Sequence, residues 1–205
     1  MKDFTVPMAI ADLVPVACFF LGTQILAGDL GSRMKPLPNV LFRAGSLLVT
    51  LAGLFKALYK LLYALGAADL PWMSRQFFTN QALGFLLAGI GLTLAVTGRR
   101  EQSGEAVGMV FPLVSLIAAM IIGLAAMDAS LCFLASRMKR KSAMFCYITS
   151  FFLCLGMGYL STRSFDSGVM NWIAEQVNTV GQGLFLAGCV ILHRAGLRDA
   201  EIGPD

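Results

Sequence analysis

The chain has 205 residues, 57% of them hydrophobic and 14% charged, with a formal net charge of +4 and a mean hydropathy of +0.73. A soluble domain is nearer half apolar and a quarter charged, so these proportions exclude a water-soluble globule, and a disordered chain needs the opposite bias. No stretch between the apolar runs is long enough for a soluble nucleotide-binding or catalytic domain. Basic residues flanking membrane spans account for the charge without a nucleic-acid partner.

Crossing a ~30 Å hydrocarbon core takes about 20 apolar residues in a helix. On that measure the sequence predicts an all-α polytopic membrane protein of six transmembrane helices, over 5–28, 38–66, 76–97, 107–136, 142–162 and 171–193. They form a single membrane domain, 1–205, with a short cytoplasmic tail over 194–205. The first run follows Met1-Lys2-Asp3 but is long and contains Asp12, so it reads as a retained helix and not a cleaved signal. The hinges are Pro36-Leu37-Pro38, Gly66 to Pro71, Arg99-Arg100-Glu101, Arg137 to Lys141 and Arg163 to Gly168.

If six spans alternate strictly, the N-terminus, the second and fourth hinges and the tail share one face. That face carries Lys2, Arg75, Arg137, Lys139, Arg140, Lys141, Arg194 and Arg198; the other carries Arg33, Lys35, Arg43, Arg99, Arg100 and Arg163. The excess of basic residues on the first face places both termini in the cytoplasm of a plasma or inner membrane.

Two segments recur. Leu30-Gly31-Ser32-Arg33-Met34-Lys35 leaves the first span as Leu134-Ala135-Ser136-Arg137-Met138-Lys139 leaves the fourth. Gly84-Phe85-Leu86-Leu87-Ala88-Gly89 in the third span matches Gly183-Leu184-Phe185-Leu186-Ala187-Gly188 in the sixth. With three spans per half, the expected arrangement is an inverted repeat of 1–97 and 107–193, an architecture of secondary transporters with a ligand site near the midplane. The alignment sets Gln76 on Glu175 and Thr79 on Asn178. The small-xxx-small pairs Gly84/Ala88 and Gly183/Ala187 are expected to bring spans three and six together at a pseudo-two-fold axis.

Charge at the centre of a membrane helix costs ~2.5–3.5 kcal/mol on insertion scales, so an ionisable residue there is a functional candidate. Asp12, Lys56, Asp128 and Glu175 qualify, and Asn80 and Gln81 lie at a depth similar to the first three. Lys56, Tyr59, Lys60 and Tyr63 share a helical stripe that continues back through Ala52, Val49 and Gly45. Lys56 is expected to pair with Asp12 or Asp128, while Lys60 and Tyr63 snorkel to the headgroups. In span six, Glu175, Asn178, Thr179, Gln182, Cys189 and His193 form one polar face, either as interhelical glue or as a water-accessible wall. Pro15 and Pro112 are candidate kinks, and Trp72, Phe77, Phe78, Tyr147 and Trp172 are candidate interface anchors.

The ligand- or ion-binding set is therefore Asp12, Lys56, Tyr59, Asn80, Gln81, Asp128, Glu175, Asn178 and Gln182. Five cysteines without C-x-x-C spacing and a single histidine argue against a metal site, and no cofactor is expected. Phosphate-loop, zinc-protease and nucleophile-elbow motifs are missing. In size and span number the chain is similar to the substrate-capturing subunits of vitamin-importing energy-coupling transporters. The leading expectation is a small-molecule or ion transporter, or its ligand-binding membrane subunit. The alternatives are an intramembrane lipid-modifying enzyme with Asp12 and Asp128 as acid and base, and a structural partner of another membrane protein. Expected partners are the lipid bilayer, a polar small molecule or ion, and a second copy or another membrane protein.

Overall fold

The computed structural model describes residues 4–97, 113–161 and 168–200. Lys2, Arg99, Arg100, Glu101, Pro112, Arg163, the first residues of the fourth expected span and the end of the tail lie outside the described residues. Those described form helices α1 (Val6–Ala11), α2 (Leu13–Leu30), α3 (Pro36–Ala64), α4 (Pro71–Arg75), α5 (Phe77–Thr97), α6 (Leu113–Arg137), α7 (Lys141–Ser161) and α8 (Gly168–Arg194), then a short 3-10 turn over Leu197–Asp199, with no strand.

Local chemistry sets these boundaries. Pro36 and Pro71 open α3 and α4 at positions where a missing N–H costs nothing. Gly66, at φ +65°, closes α3, with the Gly66 and Ala67 amides donating back to Tyr63 and Leu62 as a left-handed cap requires. Asp12 keeps helical angles, but Pro15 cannot donate to the Ala11 carbonyl, so the ladder breaks there and separates α1 from α2.

Val6–Leu30, Pro36–Ala64, Pro71–Thr97 and Leu116–Arg137 are long and apolar enough to cross a membrane. The apolar part of α7, Lys141–Met157, is shorter, and α8 carries a polar face. Many large apolar side chains point outward, among them Ile10, Leu21, Val40, Ile122, Phe145 and Phe152, while Asp12, Lys60, Asp128 and Glu175 are buried. That inside-out polarity is the pattern of a multi-pass membrane protein.

The helices form a closed ring in which each packs on its chain neighbours and α8 returns to α2. The direction of each contact follows from its register. Helix α3 runs against α2, with Gly53 beside Val16 and the Arg43 guanidinium donating to the Ala27 carbonyl at 2.9 Å. It also runs against α5, where Gly45 meets Gly84 and Ala88 while Gly91 meets Pro38 and Phe42. Helix α7 likewise opposes α6, through Cys132 and Met144, and α8, through Tyr147 with Gly188 and Ser150 with Gly181.

Two seams differ. Gly123 packs on Phe85 and Leu86, Gly89 on Gly123 and Ala126, and Thr93 hydrogen-bonds Ser130 at 3.1 Å, so α5 and α6 run in the same sense. Phe19 stacks on Phe185, Gly22 abuts Phe185 and Cys189, and Asp29 meets His193, so α2 and α8 also run in the same sense.

This corrects the expected inversion. Helices α2, α5, α6 and α8 run in one sense and α3 and α7 in the other, so the two halves share one order of directions. The matched Leu30–Lys35 and Leu134–Lys139 segments lie at one end of the ring, and Trp72 and Trp172 lie at the other. Spans three and six do not pack on each other as expected: Gly84 lies against α3, and nothing lies within 4 Å of a side chain placed at Gly183. Helix α5 ends where α7 begins, and α6 begins at the opposite end.

The shared-face expectation for the termini falls with the inversion. Phe4 packs edge-on against Tyr59 and Tyr63 at one end, whereas Arg33 donates to the Arg198 and Ala200 carbonyls at the other. That second end gathers Arg33, Lys35 and Arg43, then Arg137, Lys139, Arg140 and Lys141, then Arg194 and Arg198, and is called the basic end below. At the N-terminal end, Arg75 is the one described basic residue besides the inward-turned Lys56 and Lys60.

The apolar core fills the basic half, with Leu26, Leu30, Phe42, Leu92, Met127, Leu131, Leu134, Leu192 and Leu197 fully buried. Tyr147, expected at an interface, belongs to this core at 0% exposure. The seams depend on backbone contact: a side chain at Gly89 or Gly123 would overlap main-chain atoms of the facing helix, which cannot move aside cheaply. Gly123→Leu is expected to lower thermal stability in detergent by about 1–3 kcal/mol. Gly156→Ala, with open space around it, should be neutral or slightly stabilising; equal effects would show that the α5–α6 seam is not tightly packed.

Candidate functional site

The N-terminal half of the ring is built from polar side chains where the basic half uses leucine. Its centre is an ion-paired cluster: the Lys60 ammonium lies 2.8 Å from Asp12 Oδ2 and 2.5 Å from Glu175 Oε1. All three residues are buried, at 4% exposure or less. One cation thus ties α3 to the α1–α2 junction and to α8. The break at Asp12 leaves that residue between two helices, and the same-sense packing of α2 and α8 brings Glu175 to its level.

This corrects the pairing expected from depth. Lys60, not Lys56, takes the carboxylate partners and is buried instead of reaching the headgroups. The Lys56 ammonium instead sits 4.5 Å from the centroid of the Phe77 ring. No carboxylate lies within ion-pairing distance of it among the described residues.

Beside the cluster lies a cavity of about 270 Å³. Its polar lining comes from Lys56, Tyr59 and Lys60 on α3, Ser74 and Gln81 on α4 and α5, and Asn171, Asn178 and Gln182 on α8. Its apolar lining comes from Phe4, Phe77, Phe78 and Phe85, with Met120 and Leu124 of α6 and Cys154 and Met157 of α7. A smaller lobe of about 50 Å³ adjoins it and adds Asp12, Pro15, Val16 and Phe19, sharing Lys56, Phe77, Gln81, Phe85, Asn178 and Gln182. Every long helix contributes to one lobe or the other.

Of the residues singled out in the sequence, Asp12, Lys56, Tyr59, Gln81, Asn178 and Gln182 line this space, and Glu175 stands behind its wall through Lys60. Asn80 is half-buried and lines neither lobe. Asp128 lies one helical turn past Leu124, away from the cavity, 4% exposed and with no hydrogen-bond partner for either oxygen among the described residues. It does not join Asp12 and Lys56.

The polar stripe of α8 divides. Its first part faces the cavity, while Cys189 is enclosed in the core beside the Tyr147 hydroxyl, and His193 Nδ1 lies 2.9 Å from Asp29 Oδ2 at the basic end. Phe77 and Phe78, expected as interface anchors, line the cavity instead. Sequence reasoning missed Lys60, Ser74, Phe4 and Asn171 as lining residues. Lys60 was detectable in principle, since it lies one turn from Lys56 in the same stripe, whereas the others depend on how the N-terminal end closes.

Among the described residues the arrangement offers one ammonium outside ion-pairing distance of a carboxylate, several amides able to donate and accept, and aromatic walls. Among the described residues no group of three His, Cys, Asp or Glu side chains is placed to hold a metal ion.

Removing Lys60 would strand two carboxylates away from water, and breaking a buried pair costs ~3–5 kcal/mol. Lys60→Met is therefore expected to unfold in detergent at a markedly lower temperature than the parent. The triple variant Asp12→Asn/Lys60→Met/Glu175→Gln should recover most of that loss. A single variant as stable as the parent would show that the three groups are not coupled. No protein-family model, curated protein or solved structure matches the chain, so the chemistry of this cavity is what bears on its function.

Proposed function

We propose that this protein is a six-helix membrane transporter for a small organic solute, or the solute-binding membrane subunit of one. The observation that carries the proposal is the cavity of about 270 Å³, lined by amides and two lysines and walled by α3, α5, α6, α7 and α8, with α2 lining the adjoining lobe. Gln182 donates across to Cys154 Sγ, but Gln81 and Asn178 line the same space with it, where polar side chains serving only as interhelical glue would meet one another. The volume is near the lower limit of the ~300–1,000 Å³ typical of small-molecule sites.

Two same-sense halves around a central site are an arrangement used by secondary transporters with parallel repeats. The recurring segments of the sequence support an origin by duplication. In this reading all six long helices cross the membrane, the basic end is cytoplasmic, and the cavity faces the opposite side of a plasma or inner membrane. The N-terminus is then external and the C-terminus cytoplasmic. A lipid-modifying enzyme using Asp12 and Asp128 draws no support from the geometry, since Asp128 lies away from the cavity that Asp12 lines.

Two measurements test this. Reporters fused to the two termini should report opposite sides of the membrane; the same side for both would overturn the same-sense arrangement. Proteoliposomes holding purified protein should accumulate at least one member of a defined mixture of small organic acids, amines and amides. Gln182→Leu should abolish that accumulation while the protein remains folded. No accumulation and no binding of any member would remove the proposal.

A further inference from the structure

Resting on the reading of the cavity as the ligand site, we infer that its ligand is a small organic anion with a flat apolar body, whose negative group is held by Lys56. The argument begins with charge allocation. The site contains Lys56, Lys60, Asp12 and Glu175, and both carboxylates are taken up by Lys60, at 2.8 and 2.5 Å. Lys56 is left as a half-buried cation whose ammonium rests over the Phe77 ring and which lines both lobes. A cation–π contact compensates an ammonium less completely than a carboxylate does. An anion entering the cavity therefore meets a donor that no described carboxylate holds at ion-pairing distance, although Asp12 lines the smaller lobe with it.

The surroundings complete the recognition. Gln81, Asn178 and Gln182 line both lobes with Lys56, and their amide groups can donate to a second oxygen of the same anion. Away from this polar group the walls are Phe4, Phe78, Met120 and Met157, which suit a ring or a short branched chain. A bare inorganic anion would leave this aromatic surface uncovered. An organic cation would face Lys56 while the carboxylates that could attract it are already engaged by Lys60.

The test is calorimetric titration of the purified full-length protein in a non-ionic detergent with three probes of one shape: phenylacetate, phenylacetamide and phenethylamine. Phenylacetate should bind at least tenfold more tightly than the other two. Lys56→Gln should weaken phenylacetate at least tenfold and leave phenylacetamide within twofold, while Lys56→Arg retains phenylacetate binding. Equal or tighter binding of the amide or the amine, or no effect of Lys56→Gln on phenylacetate, overturns the inference and leaves the cavity standing as a ligand site. No binding of any probe at millimolar concentration counts against both. Unchanged thermal unfolding of Lys56→Gln separates a lost contact from a lost fold.

Discussion

The site depends on one buried ammonium shared by two acids. Lys60 reaches Asp12 at the α1–α2 junction and Glu175 on α8, so three parts of the ring are referenced to a single nitrogen. Buried ionisable groups tolerate one another only when opposite charges lie close together. The mutual dependence sets the axial level of α8 against α3, and with it the height at which Asn178 and Gln182 face Gln81. The cluster also determines the character of the adjoining space, because engaging both acids leaves Lys56 as the cation that faces the cavity.

The opposite half is ordered chiefly by apolar and backbone contact, with Asp29 and His193 paired at its end. Glycines at 45, 84, 89, 91 and 123 let helix backbones touch, a mode of association suited to a setting in which lipid tails offer no hydrophobic contrast. The α5–α6 seam and the α2–α8 seam both join helices of the same sense, and they are the main helix contacts between the two halves. A ring with two like seams and antiparallel packing inside each half is what a rotation about the bundle axis generates from one three-helix unit.

The helical segments were legible because hydropathy and punctuation by proline, glycine and arginine act locally. Expected and observed boundaries agree within a few residues wherever the chain is described. The sense of the second half was not legible. Strict alternation was assumed across 98–112, and hydropathy does not report whether a charged connection returns to the face it left. Strict alternation starts the first and sixth spans from opposite faces, which sets Glu175 at a different level from Asp12 and removes it as a partner. Depth counting along α3 alone then favoured Lys56 over Lys60, although the two differ by one turn and only the level of α8 decides between them. Gln81, Asn178 and Gln182 were readable as polar residues on apolar helices. Their convergence was not, because it depends on the rotation of two helices that do not touch.

The aromatic layer beneath the cavity has a kinetic consequence. The Phe19 ring contacts both Phe85 and Phe185, and beneath them leucine and methionine pack down to Leu197 with little or no exposure. From Leu124 to Leu134 that plug is about 15 Å thick at 1.5 Å per residue. No side-chain rotation opens such a depth, so this conformation conducts nothing, and passage of any solute requires whole helices to shift. Under the proposed transport role, turnover is then bounded by the microsecond-to-second range of collective helix motion, the regime of a carrier and not of a channel.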